Sequence, residues 1–146
     1  MPEQEAYFTS QFNTLADKLT ELDEKFSEAI NKYENKKILV THAAYGYWER
    51  DYGIEQIAIT GISPTDEPSQ RKLTEILDLI ENSSINHVIF EQNIQPRVAS
   101  VIQDEAGLTS LQFHNLEVLT QIDIDNEDDY FTLMNHNISV LEEALQ

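Results

Sequence analysis

Phe8, Phe12, Leu15, Leu19, Leu22, Phe26, Ala29 and Tyr33 recur at alternating steps of four and three, the spacing that lines one face of an α-helix. Neither proline nor glycine interrupts this stretch. Such a helix is roughly 40 Å long at about 1.5 Å per residue, more than a small sheet needs for cover, so part of it is expected to pack on something else. The pattern then becomes strand-like. Lys37–Thr41 (KILVT), Glu55–Thr60 (EQIAIT), His87–Phe90 and Ser110–Phe113 are short runs dominated by apolar residues. Helical patterns separate them. One spans Ala43–Tyr52 and stops at Gly53; another spans Pro68–Glu81, with Leu73, Ile76, Leu77 and Ile80 on one face. A third begins near Pro96, turns Val98, Val101, Ile102 and Ala106 inward, and stops at Gly107. Phe131, Met134, Ile138, Leu141 and Leu145 mark the last helix. This alternation predicts an α/β fold: a four-stranded parallel sheet with right-handed crossovers and helices on both faces, preceded by a long helix. The expected division is a helical segment over 1–35 and an α/β lobe over 36–146, packed as one compact unit.

Between the last strand and last helix, Thr120–Asp129 (TQIDIDNEDD) is expected to be a solvated acidic loop. It is not a calcium loop, because Asp128 stands where the turn needs glycine and Met134 where a bidentate glutamate belongs.

Composition narrows the function. At 146 residues the chain suits one domain that can bury an ordinary core. With 9 Lys and Arg against 27 Asp and Glu, its formal charge of -18 repels nucleic acid and anionic membrane surfaces. Cysteine is absent, so any metal site must use histidine and carboxylates. No run approaches the roughly 18 apolar residues of a membrane span, and the opening MPEQEAYF lacks the basic and apolar regions of a signal sequence.

In a parallel sheet the carboxyl ends of the strands share one edge, where open α/β folds collect ligands. His42 follows the first strand directly and is placed to touch a ligand; the competing reading is a histidine that only hydrogen-bonds its loop. The other strand ends lead into GISPTDEPS, into Glu91, Gln92 and Asn93, and into His114, Asn115 and Glu117. There is no Gly-rich phosphate loop, no nucleophile elbow and no closely spaced histidine pair on a helix. Glu91 and Glu117 have no spacing that demands acid–base work, and a small hydrolase would need a nucleophile beside His42 that the sequence does not offer.

THAAYGYWERDYGIEQIAITGISPTDEPS, followed in order by FEQNIQPRVASVIQDEAG and LQFHNLEVLT, resembles the C-terminal half of the zinc- and manganese-binding solute-binding proteins of bacterial ABC importers, the zinc branch in particular. The resemblance implies one lobe of a two-lobed protein, with the long helix as the distal part of the connector between lobes. It implies a metal held in the interlobe cleft by two ligands from each lobe, here His42 from HAAYGY and Glu117 from HNLEVL. Glu117, where manganese binders tend to carry aspartate, favours zinc over manganese. Imidazole nitrogen with carboxylate oxygen is a donor pair that suits Zn²⁺. His114 could compete as a ligand, though a supporting role is expected; Glu91 and Asn93 are expected to orient the ligands. His87 and His136 are expected to be structural or exposed, and Tyr45, Tyr47 and Trp48 to pack behind His42 as core.

By the same resemblance, the partners are an N-terminal lobe and an ABC permease, the location is extracytoplasmic as a periplasmic protein or cell-surface lipoprotein of adhesin type, and there is no enzymatic activity. The sequence departs from the pattern in lacking the N-terminal lobe and the histidine-rich acidic loop, and in carrying Val118 where zinc binders commonly have glycine. A two-ligand half-site should hold zinc weakly, while the core should fold without it. The alternative is a truncated, non-transport interaction module that binds a protein partner through the cleft edge and an uncovered stripe of Phe8, Phe12 and Leu15.

Overall fold

The computed structural model describes residues 2–63 and 65–146, so Met1 of the opening segment and Pro64 of GISPTDEPS lie outside the described residues. After a short 3₁₀ turn, the elements are α1 (Glu5–Ile30), β1 (Lys37–Val40), α2 (Gly46–Tyr52), β2 (Glu55–Ala58), α3 (Gln70–Glu81), β3 (His87–Glu91), α4 (Arg97–Ala106), β4 (Thr109–Phe113), α5 (Gln121–Asp125) and α6 (Tyr130–Ala144). The strands form a single parallel sheet in the order β2-β1-β3-β4. Val40 stands level with Ile89, and Glu91 with Phe113.

Alternation along the strands divides the core between the two faces. Ile38, Val40, Ile89 and Phe113 face a cluster built with Leu22, Phe26, Ala29 and Ile30 of α1 and Met134, Ile138 and Leu141 of α6. Leu39, Val88 and Phe90 face Ile76 and Ile80 of α3 and Ala99 and Ile102 of α4. Helices therefore cover both faces, as the sequence pattern predicts.

The apolar stripe of α1 is only half covered. Leu22, Phe26, Ala29 and Ile30 are buried against the sheet and α6, whereas Phe8 is 57%, Phe12 68%, Leu15 50% and Leu19 43% exposed. The helix ends at Ile30, short of Tyr33, whose hydroxyl donates to the Glu142 carbonyl at 3.0 Å.

Boundaries shift where other partners take the backbone hydrogen bonds. The second helix begins at Gly46 rather than Ala43, because Ala43 N–H donates to the Gly61 carbonyl, Ala44 N–H to the His42 carbonyl and Tyr45 N–H to Gln56 Oε1. With those donors satisfied outside a helix, the chain bends at residues 41–43 and stays non-helical through 45. Ser69 caps α3 through the Lys72 N–H, so that helix starts after Pro68. Gly53 and Gly107 end α2 and α4 in the left-handed conformation, with φ of 71° and 65°. The segment expected as a solvated loop instead contains α5. Thr120 and Asp123 make a reciprocal capping box that satisfies its first orphan donors, which is enough to hold five residues helical.

Candidate metal centre

The strand order reverses direction at β1, whose neighbours β2 and β3 follow it in sequence on either side. The crevice beyond β1 and β3 is therefore the topological switch point, the place where open α/β sheets bind ligands. His42 stands just past β1 on one side of that crevice, and Glu91 ends β3 on the other.

Glu91 is 2% exposed, and a buried carboxylate needs compensating donors. Its Oε1 lies 2.7 Å from His42 Nδ1, and its Oε2 accepts from Asn115 Nδ2 at 3.0 Å. The His42–Glu91 contact is short but off the axis of a straight hydrogen bond, and neither atom has another partner. With a proton on Nδ1, the nitrogen that faces the acceptor carboxylate, Nε2 of His42 would keep the lone pair a metal requires. The Tyr45 hydroxyl also faces Glu91; burial first, and then the Glu91 charge, push its pKa well above that of an ordinary tyrosine.

Glu117 is exposed on the loop after β4. That loop is pinned at its root by Asn137, a fully buried side chain of α6 that accepts from the His114 N–H at 2.8 Å and donates to the His114 carbonyl at 2.9 Å. Leu116 has a φ of 64°, an unfavourable conformation for a branched side chain. Its N–H donates to His114 Nδ1 at 3.0 Å, and the N–H of Glu117 donates to Asn115 Oδ1 at 3.1 Å. The same loop meets the bend after β1 in a small cavity lined by Tyr45, Trp48, Asn115 and Leu116.

A family model described as "zinc-uptake complex component A, periplasmic" matches residues 1–144. The chain belongs to the ZnuA family. Among relatives of this ZnuA-family chain, the zinc-binding protein AdcA of Streptococcus pyogenes serotype M1 is 34% identical over 140 residues, covering 96% of this chain and 27% of that protein. The high-affinity zinc uptake system protein ZnuA of Bacillus subtilis is 27% identical over 144 residues, covering 99% of this chain and 45% of its own length. The solved Zn(II)-bound ZnuA-like domain of Streptococcus pneumoniae AdcA superposes with a TM-score of 0.79 at 30% identity, covering 99% of this chain and 54% of that one. The ZnuA-family chain thus spans about a quarter to a half of the length of these relatives.

Within this ZnuA-family chain, both ring nitrogens of His114 are engaged by protein partners. His114 is 6% exposed, its Nδ1 accepts from Leu116, and its Nε2 lies 3.2 Å from Asp123 Oδ2. Asn93 touches Asn115 rather than His42, with Asn115 Nδ2 donating to Asn93 Oδ1 at 3.1 Å. His87 buries Nδ1 without a partner at the opposite edge of the sheet, and His136 is exposed on α6. Tyr45 and Trp48 pack as core, but Tyr47 is 72% exposed. Among the described residues, no group of three or more His, Asp and Glu is placed to hold a metal. Sequence reasoning set Asn115 at the ligand edge and Tyr45 behind His42, but not their contacts with Glu91, which form only when three strand ends meet.

Proposed function

We propose that this chain is the C-terminal lobe of an extracytoplasmic zinc-binding protein, either periplasmic or a surface lipoprotein, that delivers its ion to an ABC permease. His42 and Glu117 supply two of the donors for the zinc cargo, and an N-terminal lobe closing over the cleft supplies the others. The relatives named as zinc-binding AdcA and zinc-uptake ZnuA support this reading, as does the donor chemistry. The single observation that carries it is the pose of His42, with Nδ1 against a buried carboxylate and Nε2 without a partner among the described residues. That is how histidines are commonly oriented toward zinc. Zinc is preferred to manganese, which favours more oxygen donors. No covalent chemistry is assigned to the site.

The 1–35 segment fits a connector, because the bare part of its apolar stripe is suited to cover by a second body. The same stripe supports a second reading, an interaction module whose partner is another protein.

Zinc calorimetry on the chain, on a His42→Ala/Glu117→Ala variant, and with manganese in place of zinc tests the proposal. The expected result is weak, saturable zinc binding that the double substitution abolishes and manganese does not match. Binding that survives the double substitution would move the metal elsewhere, and no binding at all would favour the interaction module.

A further inference from the structure

Two residues proposed as zinc donors lie at the ends of strands that do not pair with each other, yet an unbroken line of polar contacts joins them. His42 Nδ1 faces Glu91 Oε1 at 2.7 Å; Glu91 Oε2 accepts from Asn115 Nδ2 at 3.0 Å; and Asn115 Oδ1 accepts the Glu117 backbone N–H at 3.1 Å. Gln92 locks the middle of this line, accepting the Asn115 N–H at 2.8 Å and donating to Asn115 Oδ1 at 2.8 Å. Asn115 is thereby held from its backbone and from both ends of its amide.

We infer that Glu91 and Asn115 act as one clasp of positioning residues, setting the His42 ring and the Glu117 backbone together so that a disturbance at either donor is transmitted to the other. This inference rests on the zinc half-site reading and names the groups that organise it. Three features carry it. Glu91 is almost wholly buried, so its contacts are not replaced by water when one is lost. His42 Nδ1 and Glu91 Oε1 lie 2.7 Å apart, both buried, and neither makes a hydrogen bond elsewhere. Leu116 holds a left-handed φ of 64° next to Glu117, a conformation that persists only where surrounding contacts impose it.

A near-isosteric change shows how the clasp would fail. Glu91→Gln leaves one oxygen where there were two. If that oxygen accepts from Asn115, the amide nitrogen faces His42 Nδ1, which must then accept, and the proton moves to Nε2. The metal-facing lone pair is lost without removal of either donor.

The test is nitrogen-detected NMR of the histidine rings and amide hydrogen exchange at Glu117, on the full chain without metal, for the wild type, Glu91→Gln and Asn115→Ala. Circular dichroism checks each fold, and Asn115, partly exposed, provides a second variant that leaves the buried carboxylate in place. The wild type should show His42 with Nε2 unprotonated. Glu91→Gln should shift the tautomer toward Nε2–H and also speed exchange at Glu117, and Asn115→Ala should speed exchange at Glu117 and also move the His42 ring signals. Zinc affinity should fall about 10–100-fold in each single variant, with the double variant losing no more than the worse single. A Glu91→Gln chain with unchanged tautomer and Glu117 exchange, or an Asn115→Ala chain with unmoved His42 signals, would overturn the clasp. The two ideas fail separately: a wild type that binds no zinc sinks the half-site while the metal-free spectra still decide the clasp, and zinc binding with no cross-effects sinks the clasp alone.

Discussion

The Asp123 carboxylate accepts the Thr120 N–H at 2.6 Å and lies 3.2 Å from His114 Nε2, so it fastens both the start of α5 and the root of the Glu117 loop. Hydrogen bonds from the Thr120 side chain and backbone, and then the His114 contact, hold its pKa below the ordinary carboxylate value. A depressed folded-state pKa means stability that is present above the unfolded value and lost as pH falls through the folded one. The urea midpoint of Asp123→Asn should therefore lie below that of the wild type at neutral pH, and the gap should close below the ordinary carboxylate range. A gap that stays constant to pH 2 would show that the carboxylate charge contributes nothing. At this scale the position of His42 was legible, because a residue just past a parallel strand stands at the ligand edge. The commitment of His114 to Leu116 and Asp123 was not, since it depends on a left-handed Leu116 that no local sequence signal announces.

Along α1 one amphipathic pattern has two fates. Phe26 is 1% exposed and stacks on Tyr52 at 4.1 Å between centroids, whereas Phe12, fourteen residues earlier on the same stripe, is 68% exposed. Phe26→Ala should cost about 3–5 kcal/mol of stability. Phe12→Ala should stay within about 0.5 kcal/mol in the isolated chain. Chemical denaturation of the two variants measures this, and equal losses would mean that the bare half of α1 is covered in solution. Periodicity reports which face of a helix is apolar but not how far along its length a partner extends, so the division of the stripe between Leu19 and Leu22 was invisible in the sequence. Element order and sheet direction were legible from the alternation of strand and helix patterns. The non-helical path of residues 42–45 was not, because Gln56 within β2 and Gly61 just past it, which take the Tyr45 and Ala43 N–H groups, belong to a different strand and its exit.

Over the whole molecule, the core and the proposed zinc half-site draw on different residues. The two core clusters contain neither His42 nor Glu117, whereas Tyr45, Trp48 and Leu116 join the core to the edge of the site. The chain should melt cooperatively at the same temperature with and without a chelator, while excess zinc raises the midpoint only in proportion to its occupancy. A disordered spectrum after chelation would contradict this. The sheet order also bears on how an ion would be let go. β4 is an edge strand, bonded to β3 alone, while β1 is bonded on both sides. An ion shared by His42 and Glu117 would close a chelate ring whose covalent path runs through the whole stretch of chain between them, so the ring is shut only by the fold. Edges fray before centres. Each fluctuation that lifts the end of β4 would open that ring on the carboxylate side and leave imidazole as this lobe's one donor, giving a half-site that is quick to exchange.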